Sequence, residues 1–208
     1  MGKHVQSLYV TVEDYLKAEE SASVRHEYID GQIFAMTGAS DAHNVICTNL
    51  LVLLYTHLRR SSCRAYINDM KVRVETVKSF YYPDIMVTCE PFSAKSVFKA
   101  APILLIEVLS PSTRQIDRRE KLIAYKQITS LKEYLVVYQN RQRIELYQKD
   151  EHGHWPMTIV RAGDSILLES LHEPLEVSLA AIYESLGLAN VVQEDEAEYE
   201  LDSEPDFC

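Results

Sequence analysis

Cysteine is sparse in this chain: four residues in 208, Cys47, Cys63, Cys89 and Cys208, with no Cys-x-x-Cys spacing among them. That pattern argues against a zinc site and against a disulfide frame. It is the usage expected of reduced thiols in a cytoplasmic protein. Long apolar runs are missing too. Nothing approaches the ~18 residues of a membrane span, and the opening residues Met1-Gly2-Lys3-His4-Val5-Gln6 lack the apolar segment of a secretory signal. No internal repeat is visible. Lysine and arginine are absent from residues 194–208, which hold eight acids; taking these eight from the net charge of −10 leaves −2 for residues 1–193. The expected organisation is therefore a single domain over residues 1–190 and an acidic, disordered tail over 191–208. The acidity sits in that tail, so it does not exclude a nucleic-acid partner, although it argues against broad non-specific binding.

What is present suits a sizeable core: 208 residues, 47% hydrophobic and 25% charged. Thr11 followed by Glu13 and Asp14 predicts a short helix ending near Ser21-Ala22-Ser23. Asp30-Gly31 predicts the turn of a hairpin over Arg25–Met36. Ser40 or Asp41 can cap a longer helix from Ala42 to about Arg60, where Ile46, Leu50, Leu53, Leu54 and Leu58 recur at helical spacing. Met70–Glu75 alternates as a half-exposed strand. Ile85-Met86-Val87, Ile103–Leu109 and Glu133–Tyr138 are more uniformly apolar, as in central strands covered on both faces. A helix from about Gln115 to Ile128, a strand at Arg143–Tyr147 and a last hairpin over Met157–Leu168 complete the order. The fold class is α/β in the α+β sense, a mixed sheet flanked by helices.

One residue is out of place in this pattern. Glu107 lies inside Ile103-Leu104-Leu105-Ile106-Glu107-Val108-Leu109, where an isolated charge is costly to bury unless a partner offsets its desolvation. Asp84, 23 residues upstream in Tyr82-Pro83-Asp84-Ile85, stands at the mouth of another apolar strand. Two acids on two short strands can hold a divalent ion. Position 109, on the same strand face as Glu107, is Leu. The nearest cation is on the following helix, where Asp117, Lys121 and Tyr125 line one face at i, i+4 and i+8. A crossover helix packs back over its strand, so Lys121 can place its ammonium near the two carboxylates.

The phrases Arg25-x-Glu27-x-x-x-Gly31, Ser40-x-x-His43, Pro83-Asp84, Ala101-Pro102, Glu107-Val108-Leu109-Ser110-Pro111-Ser112-Thr113, Asp117-x-x-x-Lys121-x-x-x-Tyr125 and Glu133-Tyr134 together resemble the Uma family of "putative restriction endonucleases". This is a branch of the PD-(D/E)xK nuclease superfamily, and the resemblance runs from about Tyr9 to Tyr147. It implies a restriction-endonuclease-like core and a metal-dependent endonuclease acting on DNA. It further implies Asp84 and Glu107 as ligands of Mg²⁺ or Mn²⁺, and a migrated catalytic lysine at Lys121, since Leu109 stands where the superfamily usually has lysine. Such a metal would polarise the scissile phosphate and lower the pKa of the attacking water, with Lys121 stabilising the charge that develops.

Other residues have two readings. Glu27 can pair locally with Arg25 or, by the resemblance, add an acid to the metal centre. His43 can cap and pack, or shuttle a proton or touch phosphate. Tyr125 can face the core or the site, and Asp117 can simply favour its helix start. Arg114, Arg118 and Arg119 are either phosphate contacts or a solvated helix face. Asp84 can cap a strand turn while Glu107 pairs with Lys121. The alternatives to a nuclease are a catalytically inactive nucleic-acid- or partner-binding protein on the same scaffold, and a glycosidase. The second is disfavoured because the single tryptophan, Trp155, lies far from the acids in sequence. Two-stranded cutting makes a homodimer plausible.

Overall fold

A computed structural model describes residues 9–36, 38–109 and 116–188, with backbone alone for 116–118. The acidic tail and Arg114 therefore lie outside the described residues. Among the described residues no helix is long and apolar enough to cross a membrane.

Helix α1 (Val12–Glu19) begins where Thr11 accepts the Asp14 N–H on its side chain. Strands β1 (His26–Ile29) and β2 (Gln32–Ala35) form the expected hairpin. Both turn residues have positive φ, 41° at Asp30 and 91° at Gly31, as a two-residue turn with the sheet's twist requires. A side chain at Gly31 would also collide with the Tyr9 ring. Helix α2 (Asp41–Leu58) is capped by Ser40, whose Oγ accepts the His43 N–H. There follow β3 (Arg64–Ile67), β4 (Lys71–Val74), β5 (Ser79–Tyr81), β6 (Ile85–Thr88), β7 (Phe98–Lys99) and β8 (Pro102–Leu109).

The region expected as one helix from Gln115 to Ile128 is a π-helical turn, Ile116–Lys121, running into a single α turn, α3 (Leu122–Tyr125). Strands β9 (Glu133–Tyr138), β10 (Arg143–Gln148), β11 (Met157–Arg161), β12 (Ser165–Leu168) and β13 (Leu175–Ser178) and helix α4 (Leu179–Ile182) complete the chain.

The strands form a five-stranded sheet in the order β2-β1-β5-β4-β7, a six-stranded sheet β11-β10-β9-β8-β6-β3 and a pair β12-β13. In the larger sheet β8 and β9 are parallel, a pairing that needs a crossover, and the turn at 116–125 lies within it. Alternation sorts β8 onto two cores. Leu104, Ile106 and Val108 pack with Ile46, Leu50 and Leu54 of α2. Leu105 and Leu109 pack on the opposite side with Met86, Tyr125 and Tyr134. Glu107 shares their side by parity.

Two expectations are corrected. Met157–Leu168 is not a hairpin: β11 pairs with β10, and β12 pairs with β13. Ile166 and Leu168 are buried with Val177 in the core beneath α2, and that burial draws β12 away from its sequence neighbour. The cysteines are not all reduced, because Cys63 and Cys89 form a disulfide. The antiparallel register that sets Arg64 opposite Thr88 brings the flanking cysteines face to face, a pairing that short-range spacing in the sequence cannot display. Their separation of 26 residues corresponds to about 3.5 kcal/mol of loop entropy removed from the unfolded chain. Thermal unfolding with and without a reductant should differ by an amount of that order. An unchanged midpoint would show that the bond does not stabilise the fold.

Candidate active site

The register of β6 on β8 pairs Ile85 with Ile106 and Met86 with Leu105. Continued by one residue, it sets Asp84 opposite Glu107, so the two acids met as separate phrases in the sequence become cross-strand neighbours. Asp84 is held from two directions: its Oδ2 accepts the Val108 N–H at 2.7 Å and lies 3.1 Å from His43 Nε2. Among the described residues nothing hydrogen-bonds its Oδ1. Ser40 and His43 thus act together. The Ser40 cap starts α2, and the first turn of that helix aims the imidazole at Asp84. The His43 backbone N–H is capped by Ser40, while its ring lies against Asp84.

Glu107 is 2% exposed, and its charge is answered from the crossover. The Lys121 ammonium lies 3.2 Å from Glu107 Oε1, and the Tyr125 hydroxyl donates to the same oxygen at 2.8 Å. The i, i+4 spacing expected of a straight helix survives the π-helical turn, since both side chains reach one acid. Tyr125 is fully buried, and burial together with the nearby Glu107 and Glu27 charges raises its pKa well above the ordinary phenol value. It therefore stays a hydrogen-bond donor.

The position of Lys121 differs from expectation. Its second ion pair is to Glu27 Oε1 at 3.0 Å, so the ammonium bridges Glu107 and Glu27 rather than Glu107 and Asp84. Glu27 comes from β1, in the other sheet, and the same oxygen accepts the Tyr82 N–H at 3.2 Å. The local partner expected for Glu27 is engaged elsewhere, because Arg25 pairs with Asp69. The Tyr82-Pro83-Asp84 segment is the joint: its first residue holds Glu27, and its last is held by β8 and α2. Of the three expected phosphate contacts, Arg119 is exposed, while Arg114 and the side chains of Arg118 and Asp117 lie outside the described residues.

Cys47, one turn after His43 on α2, was not singled out in the sequence as part of the site. Its Sγ lies 3.6 Å from His43 Nδ1. Burial, and then the charges of Asp84 and Glu107, push its thiol pKa up, so it is protonated. The i, i+4 spacing of His43 and Cys47 was the available signal. Behind the site, Tyr82 Oη donates to the buried Glu19 at 2.9 Å and accepts from the Lys71 ammonium at 3.2 Å.

Among the described residues, Glu107 and Glu27 hold one buried ammonium between them, and Asp84 adds a third carboxylate opposite Glu107. Hard oxygen donors suit a divalent ion of the Mg²⁺ class. The donor set therefore fits the metal that the resemblance implies.

Removing only the Tyr125 hydroxyl tests its share in holding Glu107. Tyr125→Phe deletes a donor to a buried carboxylate and keeps the ring that packs edge-on against Tyr81 and Tyr134. A loss of about 1.5–3 kcal/mol is expected in denaturant unfolding. A loss under about 0.5 kcal/mol would place the compensation elsewhere.

The architecture is a mixed α+β fold of the restriction-endonuclease-like kind, with Glu107 and Glu27 coming from its two larger sheets. A crystal structure from Anabaena variabilis, titled a putative nuclease belonging to DUF820, superposes with a TM-score of 0.68 over 84% of this chain and 97% of its own, at 18% identity. The model of the Uma2 family, described as "Putative restriction endonuclease", matches residues 12–181, and the chain belongs to that family. Two Synechocystis relatives agree in extent. "Uncharacterized protein slr1290" is 38% identical over 176 residues, covering 84% of this chain and 92% of that protein. "Uncharacterized protein sll1609" is 35% identical over 152 residues, covering 72% and 86%.

Proposed function

We propose that this protein is a metal-dependent endonuclease hydrolysing DNA phosphodiester bonds. The observation that supports it most is the buried Lys121 ammonium between Glu107 and Glu27, beside an Asp84 placed opposite Glu107. Membership of a family described as "Putative restriction endonuclease" supports DNA as substrate.

In this reading Asp84 and Glu107 hold Mg²⁺ or Mn²⁺. The ion supplies positive charge at the scissile phosphate and a lowered pKa for the attacking water. The chain's own residues do the rest. Val108 N–H and His43 fix the Asp84 carboxylate through one oxygen and leave the other without a protein hydrogen bond among the described residues. Tyr125, a permanent donor, fixes Glu107 through its Oε1. Lys121, pre-positioned by Glu27, presents a charge where negative charge develops on the phosphate. It does so in a largely water-excluded setting, where such a charge counts for more than in bulk water. Glu27 is then an acid of the site that acts through the lysine.

Purified protein should nick supercoiled DNA in Mg²⁺ or Mn²⁺ and stop when EDTA is added. DNA binding without cleavage under any divalent ion would instead favour an inactive binding protein on this scaffold. Cutting both strands further implies a two-fold homodimer, and a light-scattering mass of one chain on DNA would remove that part.

A further inference from the structure

We propose that His43, Cys47 and Asp84 form a second cation site, for a thiophilic divalent ion of the zinc class, sharing Asp84 with the oxygen-ligand site. The three donors lie within 4.8 Å of one another. His43 and Cys47 are one turn apart on α2, so a regular helix aims both at the same point, and Asp84 closes the set from the start of β6. Zinc bonds of ~2.3 Å to sulfur and ~2.0–2.1 Å to nitrogen at tetrahedral angles require a sulfur–nitrogen edge of about 3.6 Å. Cys47 Sγ and His43 Nδ1 are 3.6 Å apart, and His43 Nε2 is 3.1 Å from Asp84 Oδ2. Turning the imidazole so that one nitrogen faces both partners completes the three-point site, and water can take the fourth position.

The donor chemistry separates this site from its neighbour. Nitrogen and sulfur favour zinc-class ions, whereas the carboxylates around Lys121 suit harder ones. On binding, the Cys47 thiol gives its proton to solvent. The dication then faces one thiolate, one carboxylate and a neutral imidazole, a set without net charge. Such a set suits a pocket where the His43 and Asp84 side chains are only 9% and 14% exposed. Cys47 is the free cysteine among the described residues, since Cys63 and Cys89 are joined. Because Asp84 belongs to both sites, a zinc-class ion on its Oδ2 side draws on the same carboxylate charge and weakens Mg²⁺ binding at the other. This last consequence rests on the nuclease reading; the binding itself does not.

Cobalt(II) is the spectroscopic probe for the test, added to the full chain. The wild type should develop a thiolate-to-cobalt charge-transfer band saturating at one equivalent and displaced by Zn²⁺. Cys47→Ser should abolish the band, and His43→Gln and Asp84→Asn should weaken cobalt binding by about tenfold or more. Cys208→Ser should retain it. Should Cys47→Ser not fold, protection of Cys47 from alkylation by Zn²⁺ but not Mg²⁺, read by mass spectrometry on the wild type, gives the same answer. An absent band, a band surviving Cys47→Ser, or one lost in Cys208→Ser would overturn the site. Cleavage unaffected by zinc while the band is present would overturn the sharing of Asp84. A band in a protein that never cuts DNA removes the nuclease reading and leaves the site standing.

Discussion

Asp84→Asn should lower divalent-dependent DNA cleavage by about a thousandfold or more. In the proposed mechanism the substitution removes one charged ligand, and the charge stabilisation a metal site supplies is several kcal/mol, with each 1.36 kcal/mol worth a factor of ten in rate. The fold should survive. An asparagine oxygen can still accept the Val108 N–H that Asp84 accepts at 2.7 Å, and the side chain keeps its size at the partly exposed end of β6. Cleavage should therefore vanish while the melting temperature shifts by no more than a few degrees. Glu107→Gln is a less clean partner experiment, because Glu107 also neutralises a buried ammonium. Full activity in Asp84→Asn would remove Asp84 from the metal site, and with it the mechanism proposed here.

Lys121→Met should produce the largest loss of stability of any single substitution in the site. Lys121 and Glu107 have side chains 5% and 3% exposed, and Glu27 10%. Removing one member of a buried ion pair leaves its partner desolvated and uncompensated, at a cost of about 3–5 kcal/mol. Here one cation serves two acids, so the upper end of that range is expected. For a domain of this size the shift in melting temperature should be on the order of 10 °C. Adding Glu27→Gln to Lys121→Met should recover part of the loss, since it removes one of the two stranded charges. The coupling free energy between positions 27 and 121 is what the double-mutant cycle reads. Additive effects with no recovery would mean that the two side chains do not share a charge balance, whatever their separation.

Both expectations rest on contacts that were legible in the sequence to different degrees. Glu107 could be picked out because it interrupts an apolar strand, and Asp84 because it stands at the mouth of another. Lys121 and Tyr125 could be placed together because i, i+4 spacing keeps them on one face, and the π-helical turn altered the backbone without separating their side chains. Glu27 was ambiguous. Its neighbour Arg25 offered a local partner, and only the docking of the two sheets reveals that Arg25 goes to Asp69 and Glu27 to Lys121, 94 residues away. The His43 ring had no legible target for the same reason. Cys47 was hidden by its place in an apolar helix face, where a small thiol reads as core.

The amino-acid sequence by itself determined the local elements and the family: the Asp30-Gly31 hairpin, the Ser40-capped helix, the buried strands of the larger sheet, and a set of phrases specific enough to name a kind of nuclease. These follow from periodicity, capping and turn chemistry, which act over a few residues. Tertiary structure alone decided which charges meet, that Cys63 faces Cys89, and that β11 and β12 part company. Those outcomes depend on sheet register and on desolvation, and the cost of burying Glu107 can be balanced only by groups that the fold brings in from distant points in the chain.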